Sequence, residues 1–251
     1  MTFQHPRMDS DFTNVYADPA RAQAYAALEY PGTYYLAFRD LPGLLRRYPP
    51  GSPALDFGCG AGRSTRYLKD SGFQAEGIDI SEAMLAQARL RDPEGSYRLV
   101  PGDHPPELPP EAYALVLAAF TFDNIPTAAT KVALLQALRG SLRPEGRIVI
   151  IVSTPEIYYN EWASFSTRAF PENREARAGD RVQIVMLDVP DARPVEDIAC
   201  SDEAYREVFA AAGLGVVQQL QPLGAASDQI PWVTETRVAP WSLYELEAWT
   251  A

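Results

Sequence analysis

Residues 54 to 80, ALDFGCGAGRSTRYLKDSGFQAEGIDI, constrain the fold more than any other part of this chain. An apolar strand runs into three glycines, Gly58, Gly60 and Gly62; a helical stretch follows, and a second strand ends in Asp79. Glycine admits positive φ and carries no Cβ to hold a ligand off the backbone, and the helix start beyond it leaves amide donors unpaired. A tight strand-to-helix turn needs one glycine. Three at alternate positions predict a turn shaped for close approach by a ligand.

Short apolar runs alternating with helical stretches continue beyond this unit, the pattern of a parallel sheet covered on both faces. Strands are predicted at 53 to 57, 74 to 80, 96 to 100, 112 to 120 and 146 to 153. Helices are predicted at 62 to 71 closed by Gly72, at 82 to 91 capped by Ser81, and at 127 to 140 capped by Thr127 and closed by Gly140. Before them, residues 15 to 48 read as a helical cap broken at Pro31-Gly32 and near Pro42-Gly43. After Ser153 the chain is irregular and aromatic to residue 180, too long for a simple connection, and is a candidate substrate lid. A strand at 181 to 189, a helix at 201 to 213, and strands at 214 to 221 and 241 to 248 complete the reading. The expected organisation is a single α/β domain over 1 to 251: a cap at 1 to 50, a cofactor-binding half at 51 to 153, a lid at 154 to 200 and the C-terminal part of the sheet at 201 to 251.

Composition narrows the partners. Twenty-two basic against 33 acidic side chains give a formal charge of -11, and the longest basic grouping is Arg46-Arg47, so no nucleic-acid partner is expected. Cys59, Cys200, His5 and His104 have no metal-ligand spacing, so no metal is expected. MTFQHPRMDS lacks a basic segment followed by an apolar run, and no stretch approaches the roughly 20 apolar residues of a membrane span. A cytoplasmic monomer or homodimer away from membranes is therefore expected.

The spacing also bears on the ligand. A dinucleotide-binding turn reads G-x-G-x-x-G and rests pyrophosphate on the helix start. Here the spacing is G-x-G-x-G, and Asp56 just before it would repel pyrophosphate but accept hydrogen bonds from an ammonium group. Asp79 stands where an acidic residue accepts ribose hydroxyls, with Ile80 and Met84 placed to pack on an adenine face. In Gly102-Asp103-His104, Asp103 is a candidate acceptor for the exocyclic amine and His104 offers a backbone amide. The combination favours a cationic, amino-acid-bearing nucleotide, with an NAD-linked oxidoreductase as the alternative.

Together these segments resemble the class I S-adenosylmethionine-dependent methyltransferases of small-molecule type. LDFGCGAGR looks like that family's first motif, GIDIS its second and GD its adenine contact, while YALVLAAFTFDNIP and LRPEGRIVI look like its strand-four and strand-five motifs. The resemblance covers about residues 53 to 153. It implies a Rossmann-like doubly wound, mostly parallel seven-stranded sheet with the last strand antiparallel, plus the cap and an insertion after strand five. It also implies S-adenosyl-L-methionine as cofactor, released as S-adenosyl-L-homocysteine. By this resemblance Asp56 and the backbone of Gly58 and Gly60 meet the methionine portion, Arg63 and Tyr25 add cofactor contacts, and Ala119 and Phe120 line the sulfonium.

Methyl transfer from a sulfonium is an in-line displacement that demands proximity, alignment and exclusion of water. A base matters only if the acceptor must lose a proton, and Glu161, Tyr158 and Asp123 are the candidates. Tyr34, Tyr35, Tyr159, Trp162, Phe165 and Trp241 are candidate substrate contacts, and Glu235 is a further one. FTFDNIP lacks the N/D-P-P-Y/F/W pattern associated with methylation of planar amino groups in nucleobases and some proteins. The expected substrate is a small aromatic or heteroaromatic metabolite methylated at N, O or C. A cofactor-binding protein acting through a partner without turnover, and a protein methyltransferase, are the alternatives.

Overall fold

The computed structural model describes residues 18 to 249; the start of the expected cap at 15 to 17 and the MTFQHPRMDS segment lie outside them. Three short helices come first: α1 (Pro19–Ala26), α2 (Thr33–Arg39) and α3 (Leu41–Leu45). The break at Pro31-Gly32 is present, but Pro42-Gly43 lies inside α3, because proline in a first helical turn forfeits no intrahelical bond.

The sheet unit then runs β1 (Pro53–Phe57), α4 (Arg63–Asp70), β2 (Gln74–Asp79), α5 (Glu82–Arg91), β3 (Ser96–Leu99), β4 (Tyr113–Ala119), α6 (Ala128–Gly140) and β5 (Leu142–Ser153). Ser81 and Thr127 cap α5 and α6 as expected, accepting from Met84 N at 3.3 Å and Thr130 N at 3.1 Å. Gly140 belongs to α6 itself, and Ser141 closes the helix. β5 begins four residues earlier than 146, through a register shift against β4.

The seven-stranded sheet has the order β3-β2-β1-β4-β5-β10-β9, where β9 is Leu214–Leu220 and β10 is Trp241–Ala248. β10, the last strand, is antiparallel to both neighbours, and the other pairings are parallel. Strand order reverses between β1 and β4, which opens a crevice at their carboxyl ends. Pleating sorts the core. Ile148, Ile150 and Val152 pack with α6 and with α7 (Asp202–Ala211), while Val149 and Ile151 pack with the cap and the lid.

The lid is ordered rather than irregular. Two 3₁₀ turns (Pro155–Tyr158 and Pro171–Glu175) flank β6 (Phe165–Ser166), which pairs with β7 (Arg181–Met186); β7 pairs in turn with β8 (Val195–Ile198). This second, antiparallel sheet holds the 181 to 189 run apart from the main sheet. Among the described residues no helix is long and apolar enough to cross a membrane.

Candidate active site

At the carboxyl end of β1 the chain turns through Gly58, Gly60 and Gly62 with φ of +71°, +53° and +78°. A Cβ on Gly58 would sit 2.3 Å from Thr121 Oγ1, one on Gly60 2.9 Å from Met84 Cε, and one on Gly62 2.6 Å from the Tyr97 hydroxyl. Conformation and space both exclude side chains here. Thr121 donates to Phe57 O at 3.0 Å and holds the end of β4 against the turn. Asp79 accepts from Gly60 N and from Ser81 N, each at 2.8 Å, so it fastens the glycine turn to the start of α5.

Asp56 corrects the sequence reading. It does not line the cavity; it is fully buried behind the turn, with Ser64 Oγ donating at 2.7 Å and Thr65 Oγ1 at 2.6 Å to one carboxylate oxygen. The other oxygen has no hydrogen-bond partner among the described residues. The pleat of β1 directs Asp56 beneath the first turn of α4, and burial pushes its carboxyl up to about 6.

A cavity opens at this crevice. One end is walled by Gly58, Gly60, Asp79, Ile80 and Met84, together with Gly102 and His104. Asp103 is absent from that wall: its side chain is 81% exposed, 3.7 Å from His104 Nε2. The 101 to 104 turn presents the carboxylate to solvent.

Tyr25, Arg63, Ala119 and Phe120 lie further along the same cavity. The Arg63 guanidinium sits 4.8 Å from the Tyr34 ring centroid, 5.5 Å from that of Phe38 and 5.6 Å from that of Phe120. It donates to Glu29 O at 2.7 Å and to the Tyr25 hydroxyl at 3.3 Å, so it ties the turn to the cap. Phe120 adopts φ +63°, an uncommon conformation for an aromatic residue and one that recurs at ligand sites. Tyr34, Phe120, Phe165 and Trp241 pack ring on ring, with Phe120 and Trp241 centroids 4.8 Å apart.

Beyond these rings the wall turns polar. Asp123 accepts from Ser153 N and Oγ, both at 2.9 Å, and from the Tyr205 hydroxyl at 3.1 Å; burial raises its pKa. Tyr158, held protonated by burial, donates to Asp197 at 3.2 Å, and Asn124 Nδ2 donates to the other Asp197 oxygen at 2.5 Å. Asp197 was not foreseen. The available signal was alternation in VEDI, where Val195 and Asp197 share a face that lines the cavity.

Several candidates lie elsewhere. Glu161 accepts from Thr167 N at 2.8 Å and Ser166 Oγ at 3.0 Å, pairs with Arg168 at 3.1 Å and faces away from the cavity. Trp162 is buried in the lid, donating to Ile157 O at 2.9 Å. Tyr159 lies beneath Arg174 at 5.7 Å, and Tyr35 packs against the cap core; neither lines the cavity. Each follows a neighbour, Tyr158 or Tyr34, that does. Glu235 is fully buried and accepts from Thr33 Oγ1 at 2.6 Å, Ala163 N at 2.7 Å, Val233 N at 2.8 Å and Thr234 N at 3.0 Å. It clamps cap, lid and C-terminal loop together. Among the described residues no group of three or more His, Cys, Asp or Glu is placed to hold a metal.

Residues 55–150 match the methyltransferase domain family. The chain is 42% identical over 62 residues to dTDP-3-amino-3,6-dideoxy-alpha-D-glucopyranose N,N-dimethyltransferase of Streptomyces fradiae, a match covering 24% of each protein. That match spans about a quarter of the relative's length. N-demethylindolmycin N-methyltransferase of Streptomyces griseus is 25% identical over 210 residues, 82% of this chain and 87% of that one. The crystal structure of an S-adenosylmethionine dependent methyltransferase from Mesorhizobium loti superposes with a TM-score of 0.57 at 17% identity, covering 86% of this chain and 99% of that one.

Proposed function

We propose that the chain is a class I S-adenosylmethionine-dependent methyltransferase, with S-adenosyl-L-methionine as cofactor, and that it methylates N, O or C of a small aromatic or heteroaromatic metabolite. The observation that carries this reading is a single cavity joining the glycine turn to a ring-lined chamber under the lid. The residues present suit the cofactor. Gly58 and Gly60 bring backbone to the cavity wall, Asp79 offers carboxylate oxygens for ribose hydroxyls, and Ile80, Met84 and Gly102 line the same wall with apolar surface suited to a base. When bound, the cofactor supplies an electrophilic methyl on a sulfonium.

The chain's own residues supply position and ring surface. Tyr34, Phe120, Phe165 and Trp241 line the cavity, and a ring face offered to a positive charge is worth about 0.5 to 2 kcal/mol. The lid and the cap are joined through Glu235, and a cavity lined by both supports a small acceptor over a polypeptide. Two relatives support this reading, since their names describe an amino-sugar nucleotide and an indolmycin precursor as acceptors.

The test is label transfer from methyl-labelled S-adenosylmethionine into fractionated cell extract. Label in the acid-soluble small-molecule fraction is expected. Label confined to protein would overturn the acceptor class, and S-adenosylhomocysteine binding without transfer into any fraction would overturn turnover.

A further inference from the structure

The far end of the cavity is apolar on most sides and polar on one. Phe165, Ile184, Met186 and Trp241 make the apolar part, while Asn124, Tyr158 and Asp197 make the polar part. Of the two carboxylates there, Asp123 is engaged by three donors from Ser153 and Tyr205, which fix it as part of the scaffold. Asp197 accepts two hydrogen bonds, from Tyr158 and Asn124. An ionised carboxylate has about four acceptor sites. Capacity therefore remains on a group that the pleat of β8 directs at the cavity, whereas its neighbour Glu196 pairs with Arg181 on the other face.

We propose that the methyl acceptor is an amine whose N–H hydrogen-bonds to Asp197, and that Asp197 takes the proton released on methylation. The inference rests on the methyltransferase reading above. As the nitrogen lone pair forms its bond to the methyl carbon, the carbon–sulfur bond breaks and its electron pair stays on sulfur as a neutral thioether. The N–H proton passes to the Asp197 carboxylate, so charge and atoms balance. A carboxylate or phosphate acceptor would bring a further negative charge beside Asp123 and Asp197, and a carbon nucleophile would leave the remaining acceptor capacity of Asp197 unused. The charged and titratable groups around Asp197 are Asp123, Lys131 and Tyr158; Lys131 Nζ lies 4.9 Å over the Tyr205 ring and is not on the cavity wall. Burial first, and then the Asp123 charge, push Asp197 up to about 7, a value suited to proton exchange at neutral pH.

The test is calorimetric titration of matched pairs into the full-length protein saturated with S-adenosylhomocysteine: tryptamine against indole-3-acetate, tyramine against 4-hydroxyphenylacetate, and histamine against imidazole-4-acetate. At least one amine should bind tenfold or more tightly than its acid, and the preference should grow between pH 6 and 8 as Asp197 ionises. Asp197→Asn should remove that preference while S-adenosylhomocysteine affinity stays within twofold, and Asp197→Glu should restore it. The wild-type comparison needs no variant, so a misfolded Asp197→Asn leaves the test intact. A wild type that prefers no amine, or whose preference is flat with pH, overturns the inference, as does a folded Asp197→Asn that keeps the preference. Failure to bind S-adenosylhomocysteine would instead overturn the reading on which it rests.

Discussion

At one end of the cavity much of the wall is backbone from a single stretch, residues 57 to 80, whereas at the other it is side chains from α2, the end of β4, the lid and the start of β10. The first wall is built by local conformation. Three positive-φ glycines and one carboxylate, Asp79, that accepts from the amides of Gly60 and Ser81 make it, and the glycines and Asp79 lie within one strand-turn-helix-strand unit. The second exists only when distant segments are packed together, and Glu235 is the residue that fastens them. A site made of backbone leaves a spaced motif in the sequence. One made of collected side chains leaves little more than aromatic composition.

The contrast breaks most sharply at Glu235. Glu235→Ala would leave buried amides of Ala163 and Thr234 without an acceptor, at about 1 to 3 kcal/mol for each stranded group. Urea unfolding should show a loss of about 3 kcal/mol or more. If the two ends are independent, S-adenosylhomocysteine affinity measured in the folded fraction should hold while acceptor binding disappears; equal loss of both would show that they form one unit.

Asp56 gives the next largest effect, on the cofactor side. Its folded carboxyl titrates at about 6 against an ordinary 3.8, so between those values the folded state holds more protons than the unfolded one. Stability is then highest below about pH 4 and falls as pH rises to about 6, by up to about 3 kcal/mol at 1.36 kcal/mol per unit. The wild type minus Asp56→Asn difference in unfolding free energy, measured from pH 4 to 7, should carry that slope. A difference independent of pH would remove Asp56 as its source. Asp79→Ala comes third: S-adenosylhomocysteine binding should weaken by about 1 to 3 kcal/mol in calorimetry with acceptor affinity unaltered, and unchanged binding would take Asp79 out of the site.

The same division governs what the sequence made legible. Order of elements, the Ser81 and Thr127 caps and the antiparallel final strand follow from periodicity, local hydrogen bonding and the family resemblance, and all are present. Asp56 read as a ligand contact because position along the chain says nothing about which side of the pleat meets the cavity. Glu161 read as a base because its partners, Thr167 and Arg168, become neighbours only through the turn into β6. β8 went unseen because VEDI is half acidic, and its strand character comes from pairing with β7 across an eight-residue gap. Asp197 was hidden with it.

The smallest effect is expected at Trp241, where the two kinds of contact meet in one side chain. Its ring packs on Phe120 and Phe165, and its Nε1 donates to Thr33 O at 2.8 Å, next to the hydroxyl that Glu235 holds. Trp241→Phe keeps an aromatic face on the cavity but removes the hydrogen bond, worth about 1 kcal/mol, together with part of the indole's packing on Tyr34, Phe120 and Phe165. If α2 is positioned by that bond, KM for the acceptor should rise about fivefold with little change in kcat and none in S-adenosylhomocysteine affinity. If the rings alone set the chamber's shape, KM will not move, and the division between the two ends will rest on Glu235 alone.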